Sequence, residues 1–198
     1  MKQQIRERFT VILLIAVGFL LVQSCKKSSG DDANNNTSGY YLTANVNGQA
    51  WSANVNSTLN NSPAIAAVTG SGSSTVLLLL GLKAVNKDTT ALVLIFPQNV
   101  ALNKTLNFDP AQYLEGAYVA EITPGSGTYY GYNTTSATGG SGTITITLFD
   151  QSSKTIEGTF AGSFGSQQGR PAVKVTDGKF RCVYTTDITQ LPKSNVKI

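Results

Sequence analysis

Two runs of alternating apolar and polar residues flank an Asn-Gly dipeptide, and this pattern constrains the fold more than any other feature. The runs cover residues 40–46 and 49–55, on either side of Asn47-Gly48. Alternation places every second side chain on one face of a β-strand. Asn-Gly favours a tight hairpin turn because both residues tolerate positive φ angles. The sequence therefore predicts a β-hairpin with one buried face. The residues on that face are Leu42, Ala44, Val46, Trp51, Ala53 and Val55.

A similar pattern surrounds Asp177-Gly178 near the end of the chain. Residues 173–176 precede the dipeptide and residues 179–184 follow it, both with alternating character. Asp-Gly is also a common hairpin turn, so we predict a second hairpin here. Its predicted buried face contains Val173, Val175, Phe180, Cys182 and Tyr184.

Residues 142–149 and 154–164 also alternate. The first segment places Ile144, Ile146 and Leu148 on one face and three threonines on the other. The second segment carries Gly158 and Gly162 on its apolar face. Glycine weakens a strand unless a neighbouring group needs the space. We therefore expect large rings from an opposing sheet to cover the two glycines.

The central runs 76–80 and 91–96 are apolar without alternation. Their length and the turn residues around them favour strands over a buried helix. A strand that is apolar on both sides is typical of a position covered on both faces. We therefore expect both faces of this hairpin to be at least partly covered.

These segments together predict an all-β protein. Gly, Thr, Ser and Asn make up 38% of the residues. Thr favours strands and the other three favour turns, which argues against a helical bundle. A hydrophobic content of 41% and a net charge of +4 argue against a disordered chain. We predict an antiparallel β-sandwich or a partly closed barrel of about nine or ten strands. This domain covers residues 40–186, and a tail covers residues 187–198. The side chains predicted to be largely buried are Trp51, Leu92, Leu94, Phe160 and Phe180.

The first 24 residues have the pattern of a secretory signal. A basic start precedes an apolar run at residues 9–22, which is shorter than the roughly 20 residues that span a bilayer. A membrane helix is the alternative. The sequence Leu21-Val22-Gln23-Ser24-Cys25 resembles the lipobox of bacterial lipoproteins. That resemblance implies cleavage before Cys25 and attachment of membrane lipid to Cys25.

Residues 25–39 are polar and predict a flexible tether. Asp31-Asp32 resembles the acidic export signals of surface-exposed Bacteroidota lipoproteins, and a plain polar spacer is the alternative. We expect an outer-membrane, lipid-anchored protein, with surface exposure favoured over a periplasm-facing orientation.

Three segments together resemble a family of small, uncharacterised Bacteroidota lipoproteins with a single β-rich domain, a domain of unknown function. They are Val46-Asn47-Gly48-Gln49-Ala50-Trp51, then Ser141-Gly142-Thr143-Ile144-Thr145-Ile146 with Ile156-Glu157-Gly158-Thr159-Phe160, and finally Asp177-Gly178-Lys179-Phe180. The resemblance implies the fold class and no reaction.

The chain lacks the commonest general base of catalysis. It contains no His, so Ser-His and Cys-His pairs are impossible. Cys182 alternates inward and is expected to be a small buried residue. The carboxylates placed on predicted strands are Glu115, Glu121 and Glu157, which leaves glycoside hydrolysis as the remaining enzymatic alternative. We expect no enzyme activity, no metal or cofactor, and no nucleic-acid partner.

Tyrosines are concentrated beside the predicted flexible loop at residues 136–142. Tyr129, Tyr130 and Tyr132 are candidate ligand-binding residues, because tyrosine offers a rigid amphipathic ring. The predicted function is a binding module for a glycan or an envelope protein. The alternative is a structural envelope component without a ligand site. One shared exposed surface for these rings favours binding, whereas buried or scattered rings favour the structural role.

Overall fold

The computed structural model describes residues 39–57, 59–70, 75–85, 88–120, 130–166 and 168–187. These residues form eleven β-strands and two single 3₁₀ turns, Pro110–Gln112 and Ser136–Thr138. The strands are β1 (Tyr41–Val46), β2 (Gln49–Ser52), β3 (Ala64–Thr69), β4 (Val76–Val85), β5 (Asp88–Pro97), β6 (Thr105–Asn107), β7 (Glu115–Ala120), β8 (Tyr130–Asn133), β9 (Ser141–Asp150), β10 (Thr155–Ser166) and β11 (Val173–Thr185). The predicted all-β class is confirmed. The predicted signal peptide at 1–24 and Cys25 lie outside the described residues. Of the tether only Gly39 is described, and of the tail only Asp187.

The strands form two layers that share one continuous hydrogen-bonded sheet. The first layer has the order β2-β1-β11-β10-β9-β6, and the second has the order β3-β4-β5-β7-β8. The layers join where β11 pairs with β3 and where β10 pairs with β8. The β11–β3 pairing is parallel and the other pairings between described strands are antiparallel. Long strands that pass from one layer to the other produce such corners, so the fold is a sandwich that closes partly into a barrel.

The inner faces of the two layers form the main core. The five side chains predicted to be buried are confirmed, since each is at most 4% exposed. They include Trp51 and Phe180 from the first layer and Leu92 and Leu94 from the second. The apolar side chains of both layers therefore fill one shared interior.

The Asn47-Gly48 hairpin is confirmed with its predicted register. Asn47 and Gly48 have φ angles of 51° and 78°, and Ala44 pairs directly with Trp51. Val55 differs from the prediction, because it packs against a second apolar cluster outside the main core. The chain leaves β2 after Ser52, and the N–H of Val55 then donates to the carbonyl of Leu82 on β4. This change of partner turns Val55 away from the core.

The predicted hairpin at Asp177-Gly178 is wrong. The dipeptide lies within the single strand β11, where Asp177 has a φ angle of 54°. Against β1, the pairing of Thr43 with Lys179 is followed by the pairing of Asn45 with Thr176. The same one-residue shift occurs against β10. The dipeptide therefore forms a β-bulge, in which β11 carries one extra residue.

The bulge explains why the predicted buried face is nevertheless correct. An extra residue changes which alternate positions point inward. Val173 and Val175 before the bulge therefore face the same side as Phe180 and Cys182 after it. All four are at most 6% exposed.

Two expectations about β9 and β10 are corrected. A bulge in β9 follows Ile146, so Leu148 pairs with Glu157 and is only partly buried. The rings nearest to the glycines of β10 belong to the same layer and not to the opposing one. An added Cβ at Gly158 would lie 2.6 Å from Cζ of Phe180, the residue directly opposite Gly158 on β11. Close lateral packing of aromatic rings thus accounts for glycine at this position.

The central hairpin is covered on both faces, as its composition predicts. Leu77 and Leu79 of β4 belong to the main core. Leu78 and Leu80 point to the opposite side of the layer, yet each is only 4% exposed. The outer face of this layer is therefore also removed from water.

Candidate functional site

The candidate tyrosines do not share one exposed surface within the described residues. Tyr132 is 8% exposed and packs in the main core, with its ring centroid 6.2 Å from that of Tyr118. Tyr130 is half-buried beneath Arg170, whose Cζ lies 3.3 Å from the ring centroid. Tyr129 lies outside the described residues. The placement of Tyr130 and Tyr132 favours a structural role for these two rings.

The adjacent loop is a compact hydrogen-bonded turn instead of the expected flexible segment. The Asn133 Oδ1 accepts hydrogen bonds from the Thr135 N–H at 3.1 Å and from the Thr138 hydroxyl at 2.7 Å. Glycine at position 140 is needed because an added Cβ would lie 2.1 Å from the Asn133 carbonyl oxygen. The glycines here reflect close backbone packing.

Two of the strand glutamates lie on opposite sides of the sandwich. Glu157 is on the outer face of the first layer, where it forms an ion pair with Arg181 at 2.6 Å. Glu115 is on the outer face of the second layer, since its neighbour Gly116 faces the core. Paired carboxylates of glycosidases lie roughly 5 to 9.5 Å apart on one substrate. Glu115 and Glu157 cannot form such a pair, and Glu121 lies outside the described residues.

Among the described residues, burial raises the pKa of two ionisable groups. Desolvation raises the pKa of the Glu115 carboxyl from its usual 4.5 to about 7. Burial also raises the pKa of the Cys182 thiol, whose side chain is fully buried. Cys182 is therefore the small core residue that the sequence predicted, because a thiol is reactive only as an accessible thiolate.

The outer face of the first layer carries a row of polar side chains that crosses six strands. The row is defined by direct pairings between neighbouring strands from β6 to β2. Its members are Thr105, Thr145, Thr159, Lys179, Thr43 and Ser52. All six are exposed or half-buried, and we call them the polar row. The hydroxyls of Thr105 and Thr145 are 3.0 Å apart, so neighbouring members are close enough to bind one ligand together.

Charged and aromatic groups lie in and beside the polar row. Tyr41 is half-buried and lies opposite Arg181, which is itself paired with Glu157. Lys174 and Lys179 are exposed, and neither forms an ion pair within the part of the chain that the structure describes. Their ammonium groups are available to oxygen-rich ligands.

Sequence reasoning missed this site, although part of its signal was visible. Alternation in residues 142–149 placed three threonines opposite the apolar face. The alternation does not show which strands pair with β9. Thr105 and Thr43, which lie on distant segments, could therefore not be assigned to the same row from the sequence. Pairing between distant segments assembles the row.

Comparisons with protein-family models, with curated proteins and with solved structures each found no significant match. Within the described residues, no helix is long and apolar enough to cross a membrane. The same residues contain no group of three or more side chains suited to hold a metal ion.

Proposed function

We propose that this protein is a lipid-anchored, non-enzymatic lipoprotein of the bacterial outer membrane that binds a glycan or a protein partner. The support for the anchor is the short apolar run at residues 9–22 followed by the lipobox-like sequence ending at Cys25. In bacterial lipoproteins the cysteine sulfur carries a diacylglycerol and the new N-terminal amine carries a further acyl chain. Two or more such chains hold a protein stably on a membrane. The anchor would keep the β domain beside the envelope surface.

The polar row is the observation that supports binding. Hydroxyl and ammonium groups at regular cross-strand spacing match the many hydroxyls of an extended sugar chain. Tyr41 supplies an aromatic ring at the border of the row, where an amphipathic side chain can pack against a sugar ring. These features favour a glycan as the ligand.

A structural envelope component is the second candidate function. The buried position of Tyr132 and the cover of Tyr130 by Arg170 favour it, because the tyrosine-rich segment then contributes to packing. In this alternative the polar row serves only as a hydrated surface.

The lipid anchor makes a direct prediction. Metabolic labelling with a fatty-acid analogue should mark the wild-type protein, because Cys25 provides the sulfur that carries lipid. The Cys25→Ala variant should remain unlabelled, and Cys182→Ala should label like the wild type. Equal labelling of wild type and Cys25→Ala would contradict the anchor.

Binding is tested with the fragment 25–198 carrying Cys25→Ser. We expect this fragment to bind a subset of sugars on a glycan array. A pull-down from envelope extract separates the other outcomes. A specific envelope protein without any glycan signal would contradict glycan binding and support a protein partner. If neither signal is found, the structural role is the function that is left.

A further inference from the structure

Six side chains form a compact grid on the outer face of the first layer. The strands β1, β11 and β10 lie side by side there, and each contributes two side chains. Direct pairings between the strands define the two rows of the grid. One row contains Tyr41, Arg181 and Glu157, and the other contains Thr43, Lys179 and Thr159 of the polar row. We call these six side chains the charged grid.

All six side chains of the charged grid point away from the core. On each strand the residue between the two members faces inward instead. Leu42 and Phe180 are 0% exposed, and an added Cβ at Gly158 would contact the Phe180 ring. Alternation along a strand therefore turns the members outward. The grid measures about 10 Å across the three strands and about 7 Å along them, an area that suits one sugar residue of a longer glycan.

The charged grid carries one positive charge more than it carries negative charges. Arg181 Nη1 lies 2.6 Å from Glu157 Oε1, and this ion pair holds the guanidinium in place. A guanidinium has five N–H donors, so Arg181 can donate to a further acceptor. Lys179 is exposed and forms no ion pair within the described residues. The grid is therefore complementary in charge to a single carboxylate.

The acidic residues nearest to the grid along the strands have other partners. Asp177, two residues before Lys179, accepts a hydrogen bond of 2.9 Å from the Asn45 side-chain amide. Asp150, at the end of β9, accepts hydrogen bonds from the Ser152 and Ser153 hydroxyls. Within the described residues, the positive charge of Lys179 is thus left for a ligand.

We propose that the charged grid binds the carboxylate of an acidic sugar, a uronate or a sialate within a longer glycan. This inference rests on the proposed glycan-binding function and adds the class of sugar. Lys179 and Arg181 donate charge-assisted hydrogen bonds to the carboxylate. The hydroxyls of Thr43 and Thr159, on either side of Lys179, bind hydroxyls of the sugar. The ring of Tyr41 packs against the apolar side of the sugar ring.

The composition of this face favours a sugar over an acidic protein. Among the strand residues that the structure describes, Tyr41 is the one aromatic side chain on the outer face of the first layer. Protein interfaces instead depend on several aromatic or methionine anchors and are depleted in lysine. Short hydroxyl side chains with an exposed lysine match a hydrated, hydroxyl-rich ligand better.

Two matched pairs of probes test the proposal on the full chain with Cys25→Ser. Oligogalacturonate and its methyl ester share one backbone, and sialyllactose differs from lactose by its acidic sugar. We expect the acidic member of one pair to bind at least about tenfold more tightly than its neutral partner, and that pair identifies the acid as uronate or sialate. Equal affinity within both pairs, or no binding of either acidic probe, would overturn the inference. Binding of the neutral probes would still support the proposed function.

A single charge substitution locates the acidic sugar. Lys179→Gln should weaken binding of the acidic probe about tenfold and leave the affinity for its neutral partner unchanged. Lys154→Gln, in the turn before β10, removes the same charge outside the grid and should bind like the wild type. An unchanged preference for the acidic probe in Lys179→Gln, or an equal loss in Lys154→Gln, would contradict the proposal. Polyglutamate carries carboxylates without sugar hydroxyls, so equally tight binding of polyglutamate would assign the grid to an acidic peptide and also overturn it.

Discussion

Replacement of Trp51 by alanine is expected to lower the free energy of unfolding by about 3–5 kcal/mol. The ring is 4% exposed within the main core. Its Nε1–H donates a hydrogen bond of 2.7 Å to the hydroxyl of Thr90, which connects β2 to β5. The substitution creates a large cavity and leaves the Thr90 hydroxyl without this donor.

The loss is measured by chemical denaturation followed by circular dichroism, because Trp51 is the only tryptophan of the chain and its fluorescence disappears in the variant. Leu102→Ala is the control, since Leu102 is 47% exposed and its truncation should change stability by about 0.5 kcal/mol or less. A loss under about 1 kcal/mol for Trp51→Ala would show that the ring is not a core residue.

Glu115→Gln is expected to stabilise the protein at high pH and to have much less effect at low pH. Burial raises the pKa of the carboxyl from 4.5 to about 7, so the folded state binds more protons than the unfolded state between these values. The stability of the wild type therefore falls as the pH rises through this window. The shift corresponds to up to about 3 kcal/mol at pH 8, and Gln removes this penalty.

Unfolding curves at pH 4 and pH 8 measure this difference. Glu157→Gln is the matched control, because Glu157 forms a partly exposed ion pair on the other layer and should change stability by about 1 kcal/mol or less. Parallel pH profiles for wild type and Glu115→Gln would show that the carboxyl is solvated.

The two Gly-containing turn signals show how far local sequence determines this fold. Asn47-Gly48 and Asp177-Gly178 both adopt positive φ angles at the first residue, and both lie between alternating runs. The first forms a hairpin, while the second forms a bulge because β1 and β10 pair with β11 on its two sides. A two-residue hairpin turn and a one-residue bulge both shift by one position which alternate side chains face the core. The buried residues were therefore predictable, although the sequence did not show whether the chain turns back or continues in the same direction.

The candidate site was harder to predict for a related reason. Tyr130 and Tyr132 lie on β8, and their burial depends on which face of this four-residue strand is turned toward the core. So short a strand contains too few apolar residues to predict that face from the sequence. Glycine at position 140 suggested flexibility, but its role is a close approach to the Asn133 carbonyl. Contacts between distant segments determine both features.

The affinity of the polar row for its ligand tests the proposed function most directly. The glycan with the strongest array signal is titrated against the fragment 25–198 and against its Thr159→Val/Lys179→Gln variant. Valine keeps the shape of threonine and glutamine removes the charge, so the fold should persist. Lys154→Gln, in the turn before β10, is the matched control. We predict a loss of about tenfold or more, equal to about 1.4 kcal/mol, for the double variant and an unchanged affinity for the control. Equal affinity of all three proteins would contradict binding at the polar row.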